Sequence, residues 1–299
     1  MDLLVILGPT ASGKTQLAVQ AAQHFDAEII SADSRQVYRG LDLGSGKDLN
    51  EYGSVPYHLI DVVDPGDPFS LFDFLQSFKA AYRAIRDRGR LPILAGGTGL
   101  YLDAVLRGYT LVKADHNPEL RDQLANLDMT TLQQKLCQLQ PNQHNTTDLQ
   151  DRQRLIRAIE IATAARSAGA DRTLELPDLS SRVYGLRWPR DVLRRRITQR
   201  LRARLEQGMI EEVERLHAAG VSWDTLDEYG LEYRFVARYL QGQLNRNDLF
   251  QKLNSAIHQF AKRQDTWFRR MERQGVAIHW LEGPDQPLAA LLQSCREEA

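Results

Sequence analysis

Apolar residues fall in two rhythms along this chain, and the rhythms alternate over the first hundred residues. Leu3–Leu7 is an unbroken apolar run, of the length expected for a strand covered on both faces. After a glycine-rich gap, Leu17, Ala18, Val19, Ala21 and Ala22 return at helical spacing. Ala27–Ala32 predicts a second strand, ending in the polar cluster Asp33-Ser34-Arg35-Gln36. His58–Val63 predicts a third, stopped by Pro65, Gly66 and Pro68. Phe74, Leu75, Phe78, Ala81, Tyr82 and Ile85 mark one face of a helix over 71–88. Leu91–Leu94 reads as a fourth strand, passing through Gly96-Gly97-Thr98-Gly99 into another helix. Strand and helix in alternation imply a parallel sheet with right-handed crossovers.

The pattern changes near Ala114. From Asp115 to Ser181 the signals are helical and no strand is expected. One stripe is Leu120, Leu124 and Leu127; a second is Leu132, Leu136 and Leu139, stopped by Pro141. A third is Leu155, Ile156, Ile159, Ile161 and Ala162. Arg182–Trp188 then reads as a return strand, followed by Pro189 and a helix from Asp191 to Gln207. A helix over 249–274 turns Ile257, Phe260, Ala261, Gln264, Trp267, Phe268 and Met271 inward, and 277–280 is a last strand. The expected fold is α/β: a parallel sheet flanked by helices, built from 1–114 and 182–299 around a helical insertion, 115–181.

Composition adds limits. A chain of 299 residues has room for a full α/β core and a smaller second domain. A net charge of −1 leaves nucleic-acid binding undecided at the whole-chain level. Cys137 and Cys295 stand far apart, in no metal-ligand spacing, a pattern of reduced proteins without a zinc site or disulfide framework. No apolar run reaches transmembrane length, and a working motif already begins at residue 8, so a cytoplasmic enzyme away from membranes is expected. Charge is unevenly spread. Between Arg152 and Arg204 lie fourteen arginines and no lysine against five carboxylates, a net of +9, followed by the acidic run Glu206, Glu211, Glu212, Glu214. Such a field suits phosphate or nucleic-acid contact, and equally a solvated helix face. Arg154/Arg157 and Arg196/Arg200 are spaced to share faces, and Lys262, Arg263, Arg269, Arg270 and Arg273 give the last long helix a basic outer side.

The most informative chemistry is Gly8–Thr15, GPTASGKT, a G-x-x-x-x-G-K-[ST] phosphate loop between a predicted strand and a predicted helix. Its glycines let backbone N–H groups turn around an anion, and the helix start adds partial positive charge. Lys14 supplies a point charge and Thr15 a hydroxyl for Mg²⁺. Asp33 ends the second strand, where parallel sheets place ligands; Asp33 or Ser34 could also cap a helix through Val37-Tyr38, and the two roles do not exclude each other. Gly40–Lys47 is not a second phosphate loop, because Leu41 stands where the first glycine belongs and Asp48 replaces Ser/Thr; it reads as a surface loop with Lys47 as an accessory cation. Gly97-Thr98 offers N–H groups and a hydroxyl to the crevice, or is simply a tight turn.

Together these segments resemble the tRNA dimethylallyltransferase family, also called tRNA isopentenyltransferases, over nearly the whole chain. The similarity lies in GPTASGKT at 8–15, ISADSRQVYRG at 30–40, GGTGLY at 96–101, QRLIRAIEI at 153–161, RRRITQRLRARLEQGMIEEVERL at 194–216 and AKRQDTWFR at 261–269. Two segments depart from the family pattern: Gly44-Ser45-Gly46-Lys47-Asp48 stands for G-T-A-K-P, and Gly230-Leu231-Glu232-Tyr233-Arg234 for G-Y-[KR]-[EQ]. The resemblance implies transfer of a dimethylallyl group from dimethylallyl diphosphate to the exocyclic amine of the adenosine 3′ of the anticodon. It implies a diphosphate site made by Gly8, Pro9, Thr10, Ala11, Ser12, Gly13, Lys14 and Thr15, with Arg196 and Arg200. Mg²⁺ would sit on Thr15, and Asp33, Lys14, Thr15 and Thr98 would be catalytic. Asp33, Ser34, Arg35, Gln36, Thr98, Arg121, Gln153, Arg154, Leu155, Ile156 and Arg157 would hold tRNA, through the insertion among other parts. The enzyme would act as a monomer.

Three other readings share the loop: an adenylate prenyltransferase acting on free nucleotide, a P-loop small-molecule kinase with a lid over ATP, and a non-catalytic RNA-binding relative. The helices of 115–181 and the arginine field disfavour the first. Intact Lys14, Thr15 and Asp33 disfavour the last.

Overall fold

A computed structural model describes residues 1–139, 149–167 and 173–297. Two compact units emerge: Met1–Arg107 with Asp178–Ala299, and Gly108–Pro177. In the first unit the elements are β1 (Leu3–Leu7), α1 (Lys14–Phe25), β2 (Ala27–Ala32), β3 (Tyr57–His58), α2 (Leu71–Asp87), β4 (Leu91–Gly96) and α3 (Gly99–Leu106). The second holds β5 (Leu111–Val112), α4 (Pro118–Ala125), α5 (Met129–Leu139), α6 (Arg152–Ser167) and β6 (Thr173–Leu174). The chain then returns with β7 (Ser181–Arg187), α7 (Arg190–Glu206), α8 (Met209–Ala218), α9 (Trp223–Glu228), α10 (Leu231–Leu240), α11 (Arg246–Arg273), β8 (Ile278–Glu282) and α12 (Pro287–Glu297).

The sheet runs β3-β2-β4-β1-β7-β8, and its pairs are all parallel. β1 lies inside it, which is why every residue of Leu3–Leu7 is apolar and buried. Strand register sets the carboxyl edge of the sheet. Gly96 pairs with Leu7 on one side and Ala32 on the other, so β1, β2 and β4 end level. The residues just beyond, Gly8, Asp33 and Gly97, therefore leave the sheet from one row. Gly96 has no room for a Cβ against the Ala32 backbone, so the strands close fully at this edge.

Several expectations change. The third strand shrinks to Tyr57–His58 because Leu59 and Asp61 have φ of 64° and 56°, which ends extended backbone; Val63 makes only an isolated bridge to Tyr38. No helix forms through Val37-Tyr38. Asp33 Oδ1 accepts the Arg35 N–H at 2.9 Å instead, holding a turn. Thr173–Leu174 is a strand after all, antiparallel to Leu111–Val112, a pair too short to show in the apolar pattern. Within the helical unit Leu124, Leu132, Leu136, Leu155, Ile156, Ile159 and Ala162 form the core, but Ile161 is exposed. Pro141 lies outside the described residues. Helix starts obey local chemistry: Ser70 and Asp73 make a reciprocal capping box on α2, and Asn245 caps α11.

Candidate active site

The phosphate loop is built on two left-handed residues, Ala11 at φ 61° and Gly13 at φ 91°, on either side of Ser12. Such a turn gathers backbone N–H groups on one side. Gly13 starts α1 without a side-chain cap, so the first helical N–H groups stay available to an anion. Three side chains brace the loop. Trp188 Nε1 donates to the Ser12 carbonyl at 2.8 Å, and Arg196 Nε to the Ala11 carbonyl at 2.8 Å. The Arg196 guanidinium also lies 4.3 Å from the centre of the Trp188 ring. Gln264 accepts the Thr10 N–H through Oε1 at 2.8 Å. Lys14 points into this crowded crevice, where desolvation and then Arg200 lower its pKa to about 8, against the pull of Asp33.

Asp33, Ser34 and Thr98 meet at the ends of β2 and β4. The Ser34 N–H donates to Thr98 Oγ1 at 3.1 Å, and the Thr98 N–H to the Ala32 carbonyl at 3.1 Å. Thr98 thus ties the two strand ends, and Asp33 remains partly exposed beside them. Arg35 is also partly exposed. Gln36 is not. It is buried, with Oε1 taken by the Ser31 hydroxyl and Nε2 given to the Gly46 carbonyl.

The segment read as a surface loop is bolted down. Lys47 is 1% exposed, its ammonium donating to the Tyr38 carbonyl, Asp42 and Asp61 at 2.8, 2.7 and 2.5 Å. An accessory cation for a ligand needs a free charge, and this one is fully engaged. Glu212, in α8, accepts the Leu43 and Gly44 N–H groups and the Tyr233 hydroxyl. Asp48 then reaches Arg200 at 3.3 Å and Arg204 at 3.1 Å. Burial, then Arg204, pushes Arg200 down to about 10, and burial alone lowers Arg196; both stay protonated at neutral pH. The two departures from the family pattern therefore touch each other directly, with the Ser45 N–H donating to the Tyr233 hydroxyl at 3.1 Å and Glu232 electrostatically coupled to Arg204 and Arg200 of α7.

In the helical unit the predicted contacts divide. Leu155 and Ile156 are core residues, so their side chains are not a binding surface. Arg121 forms a two-pronged pair with the buried Glu160 at 2.9 Å per contact, and Arg157 meets the same carboxylate at 3.2 Å and the Ala114 carbonyl at 2.7 Å. Gln153 and Arg154 are exposed. Of the arginine field, Arg152 also turns inward, onto the carbonyls that end α4. Arg172 and Asp171 lie outside the described residues.

A family model described as "IPP transferase" matches residues 36–271, and one described as "Isopentenyl transferase" matches 1–53. The chain is 63% identical to tRNA dimethylallyltransferase 2 of Syntrophotalea carbinolica over 98% of both chains. It is 60% identical to tRNA dimethylallyltransferase 1 of Geotalea uraniireducens, over 96% of this chain and 94% of that one. This chain belongs to the tRNA dimethylallyltransferase family. Among solved structures, the full-length tRNA isopentenylpyrophosphate transferase of Bacillus halodurans superposes with a TM-score of 0.70 at 32% identity, covering 99% of this chain and 95% of the other. For a member of this prenyltransferase family, the anion nest, the cations around it and a carboxylate at a neighbouring strand end are the parts to be explained.

Three residues of this arrangement escaped sequence reasoning. Arg204 is buried at 8% and continues the four-residue spacing of Arg196 and Arg200, so the signal was present. Trp188 gave none beyond its place at the end of a strand. Gln264 stood as an amide within an otherwise apolar inner stripe, and a buried amide must find partners.

Proposed function

We propose that this chain transfers a dimethylallyl group from dimethylallyl diphosphate to the N6 amine of the adenosine next to the anticodon, on its 3′ side, in tRNA. One observation carries the reading: in a member of this family, the loop nest with Lys14 and the Asp33 carboxylate beside the Ser34–Thr98 tie start from one level row of strand ends. The unpaired N–H groups at the start of α1 and Lys14 hold the diphosphate, with Arg196 and Arg200 at its rim. As the C–O bond breaks, negative charge gathers on the departing diphosphate, and these fixed positive groups stabilise it. The amine nitrogen forms the new C–N bond, and its proton passes to the Asp33 carboxylate. Thr98 positions this end by holding the Ser34 N–H. The adenosine has to leave its stack to arrive here.

Thr15 is the residue for Mg²⁺. No group of three or more His, Cys, Asp or Glu able to hold a metal occurs among the described residues. A hydroxyl in the first turn of α1 suits an ion that takes most of its ligands from substrate phosphate and water. When bound, Mg²⁺ neutralises diphosphate charge. For tRNA the reading retains Ser34, Arg35, Gln153 and Arg154 as contacts, with Gln36, Arg121 and Arg157 shaping the surfaces that carry them. Every residue used comes from one chain, so a monomer suffices. No helix among the described residues is long and apolar enough to cross a membrane.

The test is incubation with labelled dimethylallyl diphosphate and either unmodified tRNA or AMP, followed by nucleoside analysis. Label in tRNA adenosine is the expected result. Label in AMP alone would assign the chain to free nucleotide.

A further inference from the structure

The donor census of the phosphate loop is uneven. Among the described residues, no acceptor meets the N–H groups of Ala11, Gly13, Lys14 or Thr15. Pro9 has no N–H, and the Ser12 N–H turns back to the Pro9 carbonyl at 3.3 Å. The Thr10 N–H, which precedes these donors in the loop, goes to Gln264 Oε1 at 2.8 Å. The other end of the same amide donates from Nε2 to the Gly97 carbonyl at 2.8 Å. Gln264 is 7% exposed, on the inner face of α11; its bond to Gly97 is buried and its bond to Thr10 half-buried. Gly97 leaves no slack: a Cβ there would stand 2.5 Å from Gln264 Nε2, 3.3 Å from the Gly8 carbonyl oxygen and 3.5 Å from Lys14 Cε.

We propose that Gln264 sets the number of phosphoryl groups the loop accepts, by filling the Thr10 donor that a third phosphoryl would need. In phosphate loops that hold nucleoside triphosphates, backbone N–H groups cradle the phosphates nearer the nucleoside and lysine reaches the outer ones. Here the donors nearest the helix remain for a diphosphate, and the far end is closed by a side chain anchored on the neighbouring strand end. A triphosphate chain would have to break a buried amide bridge or leave its outermost oxygens unpaired, and either is unfavourable. Selection of a prenyl diphosphate over the abundant nucleoside triphosphates would result from this one residue.

The inference rests on the diphosphate reading of the loop, and the experiment separates the two. Binding of inorganic pyrophosphate and of inorganic tripolyphosphate, each with Mg²⁺, is measured calorimetrically on the full chain and on Gln264→Met and Gln264→Glu. Wild type should favour pyrophosphate, and Gln264→Met should shift the ratio about tenfold toward tripolyphosphate, the scale of one hydrogen bond to a charged group. Gln264→Glu keeps the acceptor for Thr10 and should keep the ratio while weakening both anions. It also stands in if the methionine variant does not fold, since a glutamate variant that binds the two anions equally would overturn the proposal. So would a folded methionine variant that loses both affinities in proportion. Wild type binding neither anion would overturn the diphosphate reading itself.

Discussion

Of the carboxylates that each hold a pair of arginines, Glu160 and Asp48 do so to opposite ends. In the helical unit Glu160 is 1% exposed at its side chain and takes Arg121 at 2.9 Å and Arg157 at 3.2 Å. Burial by itself would raise this carboxyl; the Arg121 hydrogen bonds, the Asn117 N–H and Arg157 outweigh it and hold the pKa at about 2. In the sheet unit Asp48 is 38% exposed and meets Arg200 and Arg204 at 3.3 and 3.1 Å. Here burial and mutual repulsion dominate, and Arg200 falls to about 10. A short, dry, two-pronged pair consumes the charges that make it and serves as a clamp. A longer pair on a half-exposed carboxylate leaves a surplus of positive potential that an arriving anion can claim. Arginine content alone does not distinguish these cases; the placement of the carboxylate does.

The contrast can be broken most decisively at Asp33, a crevice acid that no arginine among the described residues holds by an ion pair. Asp33→Asn should lower turnover by about a hundredfold or more while tRNA affinity stays near wild type, read by single-turnover transfer and filter binding. A parallel loss of binding would remove the base role. Glu160→Gln should cost about 2 kcal/mol of stability in urea, roughly thirtyfold in the folding equilibrium, and leave donor binding unchanged. The sign comes from the depressed pKa. Glu160 sits at about 2 against 4.5, so its stabilisation is present above the ordinary carboxylate range and is lost as pH falls toward 2. The glutamine variant should lack that part of the acid transition. Asp48→Asn, by contrast, should cost below about 1 kcal/mol, because the group is wet.

Lys14 gives the next effect. Its charge is present below about pH 8 and lost above it, so kcat/KM for the donor should fall by up to about tenfold per pH unit on the alkaline side. Lys14→Arg should abolish that limb if lysine is its source. The smallest effect separates neighbours on α6. Arg154→Ala should weaken tRNA binding a few-fold and reduce the salt slope by about one, with no change in melting temperature. Arg157→Ala should lower melting temperature, because it opens the contacts to Glu160 and Ala114. An unchanged salt slope for Arg154→Ala would remove that helix face from the RNA footprint.

Local chemistry was enough to determine the phosphate loop, the alternation that yields a parallel sheet, and the helices with strong stripes, because each depends on residues close in sequence. Gly13 had to be glycine for its left-handed backbone, and Leu3–Leu7 had to be apolar to lie inside the sheet. Charge and amide partners were decided elsewhere. Lys47 looked like a free cation and is a buried anchor, since Asp42, Asp61 and the Tyr38 carbonyl converge on it only after the chain has turned. Leu155 and Ile156 matched a binding segment and are core, because helical geometry points them inward while Gln153 and Arg154 point out. Gln264 lies more than two hundred residues from the loop it completes. A hydrogen bond forms between groups that the fold brings within about 3 Å of each other, and no period or propensity along the chain encodes that distance.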